Sequence, residues 1–315
     1  MILTVTLNPA IDKVLVLNQF KVHKLHRLKS SELSMILPGG KGVNVALTLK
    51  LLGNEVITTG FTGGYTGHLL CDQLRERGIT TSFVFTEGIT RTNTSILDLK
   101  NETLTEINDF GKEIEHDDVT FFLDNYSRLL HRARMVVIAG SLPRGVNDDV
   151  HLSMIDKARE MDIKVIVHTS PDHLDALFDS SPFIIYPDMR SYHKLMGQPC
   201  DGIKQFVNVG KEILNRNKKT EYVIFTHRIE NVVVVKRSKS YILRPENLKI
   251  VNMLGYGDAY LAGFVHAYHT GKPEIDILKY ASSAGLTNVE NLYKDIRDVS
   301  LIDKNIDRIK VEVLA

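Results

Sequence analysis

Cysteine is nearly missing. Two occur in 315 residues, Cys71 and Cys200, far apart and in none of the paired spacings that bind metals. Net charge is nearly missing too. Thirty-nine lysines and arginines against 38 aspartates and glutamates leave a formal +1. That balance gives no electrostatic footprint for nucleic acid or for an anionic membrane surface. No apolar run reaches membrane-spanning length. The opening Met1-Ile2-Leu3-Thr4-Val5-Thr6-Leu7 lacks the basic start and long apolar core of a signal peptide. A reducing, cytoplasmic setting is the expectation. There is no internal repeat and no low-complexity linker. What remains is ordinary for a globular chain: 43% hydrophobic and 24% charged residues, enough for one large domain or for one domain with an appendage.

Read in order, the chain alternates. Ile2 to Leu7 predicts a short buried strand stopped by Asn8-Pro9. Val14–Phe20 and Ser30–Leu37 predict two extended pieces joined by the basic segment 21–29. Pro38-Gly39-Gly40-Lys41-Gly42-Val43-Asn44 opens a helix, and Val56–Phe61 is the next strand. Gly63-Gly64 leads to a helix ended by Gly78. Thr92–Leu99 and Leu104–Ile107 predict a small hairpin. From residue 117 helices near 117–132, 148–160 and 202–216 alternate with strands at 135–139, 163–167, 183–186 and 222–225. Asn231–Lys236 and Ser240–Leu243 predict an antiparallel pair, and two long helices, from Asp258 and through 275–291, close the chain. Strand–helix alternation argues a mostly parallel sheet covered on both faces. The strands end in Asn8-Pro9, Gly140-Ser141-Leu142-Pro143, His168-Thr169-Ser170, Pro187-Asp188 and Thr226-His227. Ligands of open α/β sheets sit beyond that edge.

The chemistry concentrates in Gly255-Tyr256-Gly257-Asp258. Two glycines let several N–H groups turn toward one point. The point lies at a helix N-terminus, whose dipole attracts anions. Asp258 is a poor phosphate ligand there but a sensible base beside a phosphate in transfer; alone, it would read as an ordinary helix cap. A dinucleotide-dependent dehydrogenase fits badly, because the first strand runs into Asn8-Pro9 rather than a glycine fingerprint.

Six motifs in order resemble the PfkB family of carbohydrate kinases nearly end to end, in the branch of 1-phosphofructokinase and tagatose-6-phosphate kinase. They are Leu7-Asn8-Pro9-Ala10-Ile11-Asp12, Gly39-Gly40-Lys41-Gly42-Val43-Asn44-Val45-Ala46, Thr90-Arg91-Thr92-Asn93, Thr105-Glu106-Ile107-Asn108, Ala139-Gly140-Ser141-Leu142-Pro143 and Gly255-Tyr256-Gly257-Asp258. The resemblance implies a ribokinase-like three-layer α/β/α fold with a small β-sheet lid. Residues 12–37 and 90–107 would form the lid, and 1–11, 38–89 and 108–315 the kinase domain. It implies transfer of the ATP γ-phosphoryl group to a sugar phosphate, first of all fructose 1-phosphate, with tagatose 6-phosphate as the alternative.

By the same resemblance Asp258 is the base, and the amides of Gly255, Tyr256 and Gly257 hold developing charge. Asp12, Gly39, Gly40, Lys41, Asn44, Arg91, Asn93 and Ser141 would bind the sugar phosphate, with Arg27 on the lid. Asp188, Thr226, His227, Arg228, Gly255, Gly257 and Asn288 would bind the nucleotide. Mg²⁺ is expected with the phosphates, near Asp188 and through water. A homodimer through the lid sheets is the implied assembly. Several positions depart from the family. Its Lys-Pro-Asn-x-x-Glu is Tyr186-Pro187-Asp188-Met189-Arg190-Ser191, and its Gly-x-x-Gly loop is Thr226-His227-Arg228-Ile229-Glu230-Asn231. A usual aspartate is His168, and Met253 and Tyr256 replace smaller residues. These changes motivate a second reading, a weakly active relative that senses sugar phosphate or nucleotide.

Overall fold

Strand residues of alternating direction build one large sheet, and the alternation decides the layers. The computed structural model describes residues 1–174, 177–178, 180–227 and 229–314. Along the sheet the strands run Ile309–Leu314, Ser240–Pro245, Asn231–Val235, Tyr222–His227, Ile184–Pro187, Lys164–Thr169, Met135–Ala139, Ile2–Thr6, Val56–Thr62 and Thr80–Thr81. Val84–Phe85 also pairs with Val56–Thr62. From Tyr222–His227 to Thr80–Thr81 the pairing is parallel, and from Tyr222–His227 to Ile309–Leu314 it is antiparallel.

Successive strand side chains point to opposite faces. Ile2, Val137, Ile166, Ile184 and Ile224 therefore pack on one side, with the helices Lys41–Leu51, Tyr256–His269 and Glu274–Val289. Leu3, Val5, Val136, Val165, Val223 and Phe225 pack on the other, with His116–Leu130, Asp149–Glu160 and Ile203–Arg216. Both faces are covered, which is why these strands read as unbroken apolar runs. The three-layer expectation holds. Among the described residues no helix is long and apolar enough to cross a membrane.

A second, four-stranded sheet has the order Ser34–Gly39, Ala10–Leu17, Arg91–Asp98, Thr103–Ile107. Ala10–Leu17 pairs antiparallel with Ser34–Gly39 and parallel with Arg91–Asp98. A small cluster of Val14, Val16, Met35, Leu97 and Leu254 supports it. Its first strand starts earlier than the apolar pattern predicts, at Ala10 rather than Val14, and its second later, at Ser34 rather than Ser30. The cause of the early start is Asp12, a polar residue that interrupts the run yet stays in the strand because partners hold it. The sequence reading also ended the chain at two helices. The structure adds a helix, Ser300–Asn305, and an edge strand, Ile309–Leu314. Lys310 and Glu312 alternate with Ile309, Val311 and Val313 there, the charged pattern of a strand at a sheet edge.

Candidate active site

The turn 255–258 forms because Gly255 takes φ +78°, the left-handed region, and caps the helix Tyr256–His269. A Cβ on Gly255 would meet the Lys294 carbonyl at 3.0 Å. Asn288 lies beneath the turn, 1% exposed, and donates to the Leu254 carbonyl at 2.6 Å. Asp258 then sits in the helix's first turn, 6% exposed. Asn44, three residues into the helix that Gly40-Lys41 opens, donates from Nδ2 to Asp258 Oδ2 at 2.7 Å. His168 Nε2 faces Asp258 Oδ1 at 3.6 Å.

Two cavities meet at this carboxylate. One, about 240 Å³, is polar and lies under the small sheet; Asn8, Asp12, Asn44, Arg91, Asn93 and Ser141 line it. The other, about 470 Å³, has Tyr186, Met189, Phe206, Thr226, His227 and Met253 in its wall. Lys41, Asp188, Arg190, Gly255 and Asp258 line both. Glu106 lines both as well, so the two chambers share three carboxylates and the two cations Lys41 and Arg190; such a charged boundary suits transfer of a charged group from one ligand to another.

In the smaller cavity the small sheet presents its side chains in register. Asp12 lies opposite Asn93, and Asn93 Nδ2 donates to Asp12 Oδ1 at 3.0 Å. Lys294 donates to Asp12 Oδ2 at 2.5 Å and to the Pro38 carbonyl at 2.8 Å. Gly39 is required beside it, since a Cβ there would strike the Asp12 carboxyl at 2.4 Å. Arg91 spends Nη2 on the Asn8 carbonyl at 2.8 Å and Nη1 on the Asp109 carbonyl at 2.9 Å. Its Nε is buried and has no hydrogen-bond partner among the described residues. Gly40 (φ +100°) and Gly140 (φ +110°) bring their backbones to the cavity wall.

At the boundary, Lys41 Nζ pairs with Asp188 Oδ2 at 2.7 Å. Arg190 bonds both Asp188 oxygens, at 3.0 and 3.1 Å, and reaches Glu106 of the small sheet at 3.2 Å. Burial alone would push the Asp188 carboxyl up, but Lys41 and Arg190 overcome it and hold the carboxyl well below the usual range. Among the described residues no group of three or more His, Cys, Asp or Glu side chains could hold a metal. Asp188 is the carboxylate that would face a Mg²⁺ arriving on nucleotide phosphates, through the ion's waters, since both its oxygens are already paired with Lys41 and Arg190.

Most of the expected residues thus converge. Asp258, Gly255, Asp12, Gly40, Lys41, Asn44, Arg91, Asn93, Ser141 and Asp188 line the smaller cavity. Tyr256, Gly257, Thr226 and His227 line the larger. Three do not reach either cavity. Arg27 lies exposed in the segment between the first two strands of the small sheet. Gly39 makes room for Asp12, and Asn288 supports the turn from behind. Arg228 lies outside the described residues. The sequence reading missed Lys294, Arg190, Glu106 and Asn8. Lys294 carries no local signal; it stands 282 positions from Asp12.

A family model for the "pfkB family carbohydrate kinase" matches residues 6–294. The chain belongs to this family. A curated relative, the D-tagatose-1-phosphate kinase of Bacillus licheniformis, is 31% identical over 313 residues, covering 99% of each chain. The crystal structure titled "Possible 1-phosphofructokinase" from Thermotoga maritima is 33% identical, covers 100% of both chains and superposes with a TM-score of 0.94. Phosphofructokinase-2 from Escherichia coli shares the fold at 20% identity and a TM-score of 0.86, over 97% of this chain and 98% of that one. The chain is a carbohydrate kinase of the pfkB family with the ribokinase-like fold.

Proposed function

We propose that this kinase transfers the γ-phosphoryl group of ATP to a free hydroxyl of a ketohexose 1-phosphate, first of all fructose 1-phosphate, giving fructose 1,6-bisphosphate. The observation that carries the reading is Asp258, a buried carboxylate at a helix N-terminus between two cavities that share Lys41 and Arg190. Two relatives above 30% identity are named as a D-tagatose-1-phosphate kinase and a possible 1-phosphofructokinase. That supports the 1-phosphate class and weakens tagatose 6-phosphate as the alternative.

The sugar phosphate would occupy the smaller cavity. Arg91, with a free Nε, would hold the phosphate already present. Asp12 has both oxygens accepting, from Asn93 and Lys294; it remains an acceptor and takes hydrogen bonds from sugar hydroxyls. ATP would lie in the larger cavity with its terminal phosphate at Gly255–Asp258. Mg²⁺ on the phosphates would neutralise charge on the departing ADP. Asp258 would accept the hydroxyl proton as the oxygen attacks. The turn amides and Lys41 would meet the charge on the transferring group. The small sheet would act as a lid that excludes water.

The test is ADP release from Mg-ATP with fructose 1-phosphate, tagatose 1-phosphate, fructose 6-phosphate and tagatose 6-phosphate side by side. Turnover is expected with a 1-phosphate. Turnover with a 6-phosphate alone contradicts the assignment. No turnover by a folded protein that binds ATP favours the sensor reading, which the locking of Asp188 by Lys41 and Arg190 motivates.

A further inference from the structure

The histidine standing where the family motif has an aspartate is bonded in a way that fixes its proton. His168 belongs to the strand Lys164–Thr169 and is 4% exposed beneath the catalytic turn. Its ring stacks on Tyr186, centroids 4.2 Å apart and 16° from parallel. Its Nδ1 lies 2.8 Å from the Tyr186 carbonyl. A carbonyl only accepts, so Nδ1 carries the hydrogen. The neutral ring then bears a lone pair on Nε2, the atom 3.6 Å from Asp258 Oδ1. Gly257 keeps that gap narrow; a Cβ there would lie 3.4 Å from Nε2 and 3.1 Å from the Tyr186 hydroxyl. Burial chiefly, and Lys41 next, lower the pKa of His168, while Asp258, Asp188 and the Tyr186 carbonyl raise it. At rest, two acceptors face each other with no hydrogen between them. Such a gap is a place for one proton.

We propose that His168 is the proton-accepting partner of Asp258, taking at Nε2 the proton that Asp258 removes from the sugar hydroxyl. The inference rests on the phosphoryl transfer proposed above. In that step the hydroxyl oxygen bonds to the γ-phosphorus while the bond to ADP breaks, and ADP keeps the bonding electrons. The hydroxyl proton goes to Asp258 and on to His168 Nε2. The resulting imidazolium donates to the Tyr186 carbonyl from Nδ1 and, as the 3.6 Å gap closes to hydrogen-bond distance, to the Asp258 carboxylate from Nε2. Asp258 and Asp188 favour that cation and Lys41 opposes it, so it is transient and returns its proton to water after the products leave. His168 acts through Asp258 and does not touch the substrate. An aspartate in its place would add negative charge beside the base; the histidine adds none until it takes the proton.

The test uses the full chain with Mg-ATP and whichever sugar phosphate the wild type turns over. His168→Asn keeps an amide donor for the Tyr186 carbonyl but has no basic atom. Its kcat is expected to fall roughly 10- to 100-fold, less than loss of the base itself, with both KM values within about threefold. The acid limb of the kcat–pH profile should change as well. Wild-type kcat in this variant overturns the proposal. So does a slow variant with the wild-type pH profile, because that loss is structural. Nitrogen NMR of the wild-type ring near neutral pH decides independently of the variant's folding. A hydrogen on Nδ1 and none on Nε2 is expected, and a hydrogen on Nε2 overturns the proposal. A wild type silent with every sugar phosphate contradicts the proposed function, while the NMR result still decides the state of His168.

Discussion

Lys294 shows how much one residue can join. Its side chain is 3% exposed, its ammonium bonds Asp12 and Pro38, and its carbonyl packs against the Gly255 turn. It therefore links Asp12, the proposed acceptor for sugar hydroxyls, the strand leading to Gly39-Gly40 and the turn at Gly255. A buried carboxylate stripped of its cation is costly. Lys294→Met should raise the KM for sugar phosphate at least about tenfold, as expected for loss of one charge-assisted contact, with a smaller change in the KM for ATP. The paired change Lys294→Met with Asp12→Asn removes the stranded charge. It should recover thermal stability without recovering sugar affinity. Equal effects on both substrates would place Lys294 in the scaffold only.

At the scale of elements, the left-handed Gly255 is what aims the helix Tyr256–His269 at the site. An alanine there meets both an unfavourable φ and the Lys294 carbonyl at 3.0 Å. Gly255→Ala should lose about 1–3 kcal/mol of stability and lose turnover with it; an unchanged melting midpoint and unchanged turnover would refute the strained-turn account. Far from the site, Glu274 starts the helix Glu274–Val289 and ties it to the hairpin 231–245 through Lys236, Lys239 and Tyr241. Burial pushes its carboxyl up, but hydrogen bonds from Lys236, Tyr241 and Lys239 prevail and hold its pKa at about 2, below the ordinary 4.5. A depressed carboxylate stabilises fully above its unfolded pKa, and that stability is lost as pH falls through the folded value. Glu274→Gln should cost about 1 kcal/mol near pH 7. Urea midpoints should show the gap to wild type shrinking from about pH 4.5 toward 2; a gap independent of pH contradicts the ion-pair account. The core elements were legible in the sequence because both sheet faces are covered and the strands are continuous apolar runs. The turn 255–258 at the start of the helix Tyr256–His269 was legible because glycine and aspartate adjoin. The small sheet's true start at Ala10 was not, since Asp12 breaks the pattern and is held in place by Asn93 and Lys294. Nor was the strand Ile309–Leu314, whose charged alternation looks like solvent-facing chain. Contacts such as Arg190 to Glu106, 84 positions apart, have no sequence signature.

At the scale of the molecule, the small sheet and the large α/β layer meet beside Asp258 through two charged links, Lys294 with Asp12 and Arg190 with Glu106. The small sheet's outer strands, Ser34–Gly39 and Thr103–Ile107, each leave one edge without a strand partner among the described residues, and Ile36 and Ile107 are 50% and 59% exposed. Open edges with exposed apolar side chains invite a second copy. A homodimer through the lid is the proposed assembly. Sedimentation should give a dimer that Ile107→Lys shifts toward monomer; a monomer at all concentrations rejects it. The central claim is narrower, that this cleft transfers phosphate with Asp258 as base. The most direct measurement compares ADP release by the wild type and Asp258→Asn, with Mg-ATP and saturating fructose 1-phosphate or tagatose 1-phosphate. The account predicts turnover in the wild type and a loss of roughly 10²- to 10⁴-fold in the variant, with sugar affinity retained. A variant that turns over at the wild-type rate would contradict it.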